Sequence, residues 1–447
     1  MTHSTITEPS NPSRPRIILI DDNIQGEAGH YLELSRLLIR GANTKGYDCV
    51  LATNRRFQPS DDLEQECLVR SIFEPHRMLR WSLGPDGNSQ RCRDLDGELI
   101  DGSPLRRLSL KIKERLRKRK TQPKVMLQSW AKSCAYLIQD LKPGPEDRIV
   151  IATADDFSLL AFAAAMKQVT SRSLKVHLIF HFAPFGENEK KNSPRKEAMR
   201  HQFSIAISAL SKHQIKMHAT TDELKQQFNE VLQRNLVSSI CYPTRECSNA
   251  AGSTRSIPKA MLAGMARSEK GKHAIHDFLL GLHKQHLINS DNGFQPSLQV
   301  PARQWKTIIP KRLHSSCDGE GIELITNHLS AKAYHDWLKS ANLAIFLYDR
   351  KKYQVRCSGV LLEMLCRGVP VIVPDQCWLA SQVQLAGGNG SVGYIYQDRK
   401  QVPMLMQQFL AEQDRLKEQA CEYAVDLRKK HNPSHTLSMM EIPNATT

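Results

Sequence analysis

Tyr353-Gln-Val-Arg-Cys-Ser-Gly-Val-Leu-Leu-Glu-Met-Leu-Cys-Arg-Gly-Val-Pro-Val-Ile-Val-Pro374 is the stretch that decides the fold of this chain. Ser358 is a good N-cap residue, and an apolar run follows it. Gly368 stands where a helix of about ten residues would end in a left-handed residue. Val369 to Val373 is then β-branched and apolar, as in a strand buried on both faces. The stretch therefore reads as helix, turn and strand of an α/β domain. Val360, Leu361, Leu362, Met364, Leu365 and Cys366 leave the helix no polar face, so the helix is expected to be buried. Glu363 is the only charge in its middle. A buried carboxylate is costly unless paired. It is either a structural ion pair or an acceptor for ligand hydroxyls, and the helix start at Ser358-Gly359 offers free N–H groups to a phosphate.

A second motif stands about ninety residues earlier. Ala260-Met-Leu-Ala-Gly264 reads as a strand, and the loop Met265-Ala-Arg267-Ser-Glu-Lys270-Gly271 leads into a helix. Arg offers a bidentate fork and Lys a point charge at the positive end of a helix dipole, a combination that suits an anion. Together the two motifs resemble the donor-binding domain of GT-B-fold glycosyltransferases, the large retaining family related to sucrose and mannosyl transferases. The resemblance implies that Glu363 binds the ribose of a nucleotide sugar. It places Ser358 and Gly359 beside the diphosphate and Asn327 near the base, with Tyr353 and Arg356 among the donor-binding residues. Arg267 and Lys270 would neutralise the diphosphate. Two departures are visible. The family often carries another glutamate eight residues before Glu363, where this chain has Val355. Its usual Arg directly follows the glycine, where this chain has Met265.

Outward from these motifs, strands and helices alternate. Ile17-Ile-Leu-Ile20 is a strand, Gly26 to His30 a glycine loop, and Tyr31 to Ile39 a helix by its Leu34, Leu37 and Leu38 spacing. Cys49 to Ala52, Arg148 to Ala152, Lys175 to His181 and Ile215 to Ala219 read as further strands. Ile322 to Thr326 and Ala344 to Leu347 continue the pattern in the second half. Such alternation predicts parallel sheets, whose ligands bind beyond the carboxyl ends of the strands. Asp155, Asp156, His181 and Asp222 stand at such ends. By resemblance, His181 contacts the donor sugar, with a catalytic role beside Arg267 and Lys270, and Gly26, Gly29 and His30 form the acceptor-side loop. Residues 56–103 read as irregular.

The predicted fold class is α/β: two Rossmann-like domains facing a cleft (GT-B), with a C-terminal helical region. The expected boundaries are a disordered 1–15, an acceptor-side domain over 16–245, and a linker over 246–257. A donor domain over 258–430 and a polar tail over 431–447 follow. At 447 residues two domains fit the length. Eleven scattered cysteines without a CxxC pair argue for a reducing compartment and against a zinc or disulfide framework. No apolar run reaches the ~18 residues that span a bilayer. The expected location is cytoplasmic, with a peripheral position at the inner membrane face suggested by one segment. Residues 104–124 carry ten Lys/Arg and one Glu, a net of +9 out of the chain's +16. Leu105, Leu108, Ile112 and Leu116 form an apolar stripe there, giving a basic amphipathic helix. It suits a solvated helix, an anionic membrane surface or an anionic acceptor. Nucleic acid is disfavoured, because the segment has no aromatic residue for base stacking.

The resemblance implies transfer of a sugar from a UDP- or GDP-linked donor to an acceptor saccharide or lipid-linked glycan, in cell-surface polysaccharide or glycolipid synthesis. It implies no cofactor, no metal and retention of configuration. A nucleotide-sugar epimerase or hydrolase on the same fold, and a non-catalytic binding protein, stand as alternatives.

Overall fold

Ile17 to Ile20 are completely buried, as are Val371 to Val373, and these two runs sit at the hearts of two separate sheets. The computed structural model describes residues 14–26, 29–74, 123–169, 172–185, 193–250, 257–288, 293–317, 321–327 and 329–445. The basic stretch 104–122 and residues 1–13 lie outside them, so the expectations placed there are not addressed by the structure.

The first half runs β1 (Arg16–Asp21), α1 (His30–Thr44), β2 (Asp48–Asn54), α2 (Asp61–Glu66), β3 (Leu68–Phe73), α3 (Pro123–Leu141) and β4 (Arg148–Ala154). It continues with α4 (Asp156–Met166), β5 (Lys175–Phe180), α5 (Pro194–Ala209), β6 (Gln214–Ala219), α6 (Asp222–Leu232) and β7 (Val237–Ser239). The second half holds β8 (Lys259–Leu262), α7 (Lys272–Lys284), β9 (Gln295–Gln299), α8 (Trp305–Ile308), α9 (His314–Cys317), β10 (Glu323–Ile325) and α10 (Ala331–Lys339). Then follow β11 (Leu343–Ile345), α11 (Gly359–Cys366), β12 (Val371–Pro374), α12 (Trp378–Leu385), β13 (Gly393–Tyr396), α13 (Val402–Lys430) and α14 (Pro433–Met439).

The strand order is β3-β2-β1-β4-β5-β6-β7 in one sheet and β10-β9-β8-β11-β12-β13 in the other. Every pairing between these strands is parallel. Local chemistry explains the helix starts. The Asp155 side chain accepts from Ser158 N while Ser158 Oγ accepts from Asp155 N, a capping box that opens α4. Thr221, Ser330 and Ser358 cap α6, α10 and α11 in the simpler way. Helix α4 is buried on all sides, so its Ala- and Leu-rich sequence has no water to face. Each Leu or Phe fully buried in this way contributes about 1.5–3 kcal/mol.

Two sequence expectations need correction. The span 56–103 is not irregular throughout: α2 and β3 lie within it, and β3 forms the edge of the first sheet. The C-terminal residues are not a polar tail. Helix α14 packs on α1, and Leu437, Met440 and Ile442 are fully buried in the first-sheet core. The chain thus crosses between the halves twice, once near Cys241–Ala250 and again at His431–Asn432. The crossings touch: Thr244 N donates to the His431 carbonyl at 2.8 Å, and His431 Nδ1 donates to the Tyr242 carbonyl at 2.6 Å.

Candidate functional site

In each sheet the chain winds one way and then the other, reversing between β1 and β4 in the first and between β8 and β11 in the second. The loops at the carboxyl ends diverge there and leave a crevice. The two crevices face each other across a cleft of about 420 Å³.

The second-half wall is set by two loops. After β8 the chain turns through Gly264 and a 3-10 turn at Ser268–Lys270 into α7. Gly271 takes φ +80°, and a Cβ there would fall 2.0 Å from the Leu347 carbonyl oxygen, so this tight seat for the loop requires glycine. Gly264 (φ +85°) leaves room for Lys270, whose Nζ lies 2.6 Å from where its Cβ would stand. The ammonium is also 5.6 Å from the centre of the Tyr348 ring. Burial first, and then the charges of Arg267 and Arg356, lower the Lys270 pKa to about 8. After β11 the chain passes Tyr353 and Arg356 to Ser358, whose Oγ accepts from Leu361 N at 3.3 Å. Glu363 sits on α11, half-buried in the cleft wall. Its carboxylate accepts one long hydrogen bond, 3.4 Å from the Tyr334 hydroxyl, and has no cation within 4.0 Å among the described residues. Burial raises its pKa to about 7, against the pull of Arg367, and Glu33 adds a smaller push. This carboxyl group has most of its acceptor capacity unused.

The first-half wall carries Gly29 and His30 at the start of α1, Thr153 after β4, and His181 and Phe182 after β5. Gly29 gives α1 no side-chain cap, so the first N–H groups of a fifteen-residue helix face the cleft. His181 Nε2 donates to the Ala152 carbonyl at 2.7 Å, which fixes that tautomer and leaves Nδ1 without a proton in the neutral ring. The crowded cleft mouth, then the charges of Arg356, His181, Arg267 and Lys270, push the pKa of His30 down, although its surface remains exposed. The walls are also joined. The Arg356 guanidinium lies 4.6 Å from the Phe182 ring centre and 5.3 Å from that of Tyr353. Thr221 Oγ1 donates to the Val355 carbonyl at 2.6 Å, and the Val355 side chain packs against the first-sheet core.

The structure therefore brings Arg267, Lys270, Tyr353, Arg356, Ser358, Gly359, Glu363, Gly29, His30 and His181 to one cleft. Gly26 and Asn327 do not line it. Asn327 is exposed and reaches the site only through its carbonyl, which accepts from Gln299 Nε2 at 3.2 Å. Gln299, Tyr242, Phe182 and Tyr334 line the cleft without having been singled out. For Gln299 the usable signal was position at a strand end. Tyr242 and Phe182 carried none, because their place depends on how the halves meet.

No family model matches the chain, and no curated protein matches it in sequence. Solved structures do match over almost its whole length. Sucrose-phosphate synthase from Thermosynechococcus elongatus aligns with TM-score 0.60 at 14% identity, covering 96% of this chain and 98% of that one. The E. coli trehalose-6-phosphate protein bound with UDP-2-fluoro glucose aligns with TM-score 0.60 at 13% identity, covering 96% and 100%. HepE from Anabaena in complex with UDP aligns with TM-score 0.55 at 11% identity, covering 96% and 98%.

The fold is GT-B.

The GT-B cleft here has an uneven division of charge. Arg267, Lys270 and Arg356 stand on one side of it with no carboxylate within 4.0 Å among the described residues. The two histidines facing them from the other side are a neutral His30 and a backbone-tied His181.

Proposed function

We propose that the protein is a glycosyltransferase, moving a sugar from a nucleoside diphosphate sugar to an acceptor hydroxyl in this cleft. One observation carries the reading: a half-buried, cation-free Glu363 shares a wall with unpaired Arg267 and Lys270 and the capped start of α11. Ribose hydroxyls donating to Glu363, with the diphosphate on the two cations, would satisfy both at once. Two proteins of the same fold are described with UDP or UDP-2-fluoro glucose bound, which supports the same ligand class.

In this mechanism the acceptor oxygen forms a bond to the anomeric carbon. The bond from that carbon to the distal phosphate oxygen breaks, and its electron pair leaves with the diphosphate. The acceptor proton passes to the departing phosphate. Arg267, Lys270 and the N–H groups of α11 stabilise the growing negative charge, more strongly in the transition state than in the ground state. Side chains thereby supply the positive charge, so EDTA should leave turnover intact. Retention of configuration belongs to the same proposal, and the anomeric signal of the product in proton NMR tests it.

A thermal-shift panel of UDP- and GDP-sugars is the direct test, since a ligand of the folded state raises the midpoint. No response to any member would sink the reading. Consumption of the donor without acceptor would instead favour a hydrolase or epimerase. Among the described residues no helix is long and apolar enough to cross a membrane. Association of the basic 104–124 segment with anionic vesicles, lost in high salt, would fit an acceptor that is a lipid-linked glycan.

A further inference from the structure

If the diphosphate rests on Arg267 and Lys270, as the preceding reading has it, Arg356 is a cation left over. Arg356 stands two residues before Ser358, the cap of α11, and reaches toward the first-half wall. There its guanidinium faces Phe182 at 4.6 Å, and the Phe182 ring lies 6.1 Å from that of His30. The group therefore lies where the walls meet, between the phosphate loops and the loop that opens α1. On the preceding reading that space, next to the diphosphate, is left for the transferred sugar.

The pose of Arg356 matters as much as its place. The guanidinium lies over the Phe182 and Tyr353 rings, a cation–π position that uses up none of its five N–H donors in hydrogen bonds. None of them has an acceptor among the described residues. The protein offers little nearby to fill that role. Of the three carboxylates lining the cleft, Glu33 is held bidentately by Arg245 at 3.0 Å, Glu363 sits with Tyr334, and Glu269 lies more than 4.0 Å from the Arg356 guanidinium. The position eight residues before Glu363 is Val355, whose side chain packs into the first-sheet core. A sugar bearing only hydroxyl groups would leave a charged fork with neutral acceptors alone. A planar carboxylate would take two of its N–H groups in parallel.

We propose that the transferred sugar is a hexuronic acid, with its carboxylate held by the edge of the Arg356 guanidinium. Arg356 is then the residue that sets donor specificity.

Calorimetric titration of the full chain provides the test. The ligands are UDP and GDP alone, and the pairs UDP-glucose with UDP-glucuronic acid and GDP-mannose with GDP-mannuronic acid. The expected result is binding of a nucleoside diphosphate, with the acidic sugar of one pair bound at least about tenfold more tightly than its neutral partner. In Arg356→Leu that ratio should fall to about one. In Arg356→Lys, which keeps the charge and loses the fork, it should lie in between. Circular dichroism melting confirms that each variant is folded, and the parent ratio stands on its own should the leucine variant not fold. A nucleotide that binds with no preference for the acidic sugar in either pair overturns the inference while leaving the glycosyltransferase reading intact. Equal losses for both sugars in Arg356→Leu would mean that the residue only braces the walls, which also overturns it. Absence of binding by either nucleotide defeats both readings together.

Discussion

On the first-sheet side of the cleft and just behind it, the charged and polar groups have partners, His30 excepted. Asp21 accepts from Thr153 Oγ1 at 2.7 Å, Glu33 holds Arg245, and His181 is tied to the Ala152 carbonyl. On the wall built from the second sheet, Arg267, Lys270, Arg356 and Glu363 have no opposite charge within 4.0 Å among the described residues. Both walls come from parallel sheets opened at their switch points, so topology does not separate them. Desolvating a charge without pairing it is costly, so Lys270, Arg356 and Glu363, each partly buried, have the most to gain from a ligand, while Arg267 is exposed. Under the proposed function the paired wall serves as scaffold and the unpaired wall supplies the binding energy.

The sharpest attempt to break this contrast is the double substitution Arg267→Ala with Lys270→Ala. Turnover should fall by about two orders of magnitude or more, because these cations meet the charge that develops on the leaving group. Full activity in that variant, or a strict need for a divalent metal, would remove them from the mechanism. Next comes Glu363→Gln, which keeps shape and deletes charge. Nucleoside diphosphate affinity should drop roughly 10- to 150-fold, the equivalent of about 1.5–3 kcal/mol for a charged hydrogen bond. Unchanged affinity by calorimetry would mean that the carboxylate does not touch the nucleotide.

The unpaired wall should also betray itself through pH. Ribose hydroxyls donate best to an ionised Glu363, and the diphosphate needs a protonated Lys270. Affinity should therefore rise through about pH 7, fall beyond about pH 8, and change by up to about tenfold per unit on each limb. Glu363→Gln should erase the acid limb alone. In the unliganded protein the sign is opposite. Because the folded pKa of Glu363 is raised from 4.5 to about 7, its contribution to stability is full below the ordinary carboxylate range. That contribution is lost as pH rises toward 7, since the folded state holds the proton more tightly. Urea titrations of parent and Glu363→Gln between pH 4.5 and 7.5 should therefore diverge as pH rises, with the variant gaining. The smallest effect belongs to the paired wall. Glu33→Ala breaks a half-exposed ion pair and should cost up to about 1 kcal/mol of stability. A collapse of binding in Glu33→Ala would show that the paired wall is no mere scaffold.

What the sequence made legible follows the same division. Glu363, Arg267 and Lys270 could be found because each is a charge at an apolar helix or strand end, a conflict visible within a few residues. The strands Arg16–Asp21 and Val371–Pro374 announced themselves as unbroken apolar runs. Strand β9, Gln-Pro-Ser-Leu-Gln, did not, although all five residues are buried. Its Ser297 hydroxyl accepts from the Trp337 indole at 2.7 Å, a partner forty residues away that no local window contains. The C-terminal residues look like a tail in the sequence for a related reason. Leu437, Met440 and Ile442 are sparse among polar neighbours, and only the face of α1 makes them core. Phe182 and Tyr242 owe their roles to the meeting of the halves, which periodicity does not encode.

The return of the chain to α1 also governs how the cleft can move. A single connection between two domains works as a tether, free to swing and twist. Here two connections lie side by side, fastened to each other through Thr244, His431 and Tyr242. Two parallel straps suppress sliding and twisting and leave one soft coordinate, rotation about the line they define. A rotation that opens or closes the cleft would therefore take residues 242–250 and 431–432 as its axis. At the cleft the Arg356 edge of one half already rests on the Phe182 edge of the other, at 4.6 Å, so opening would part that contact.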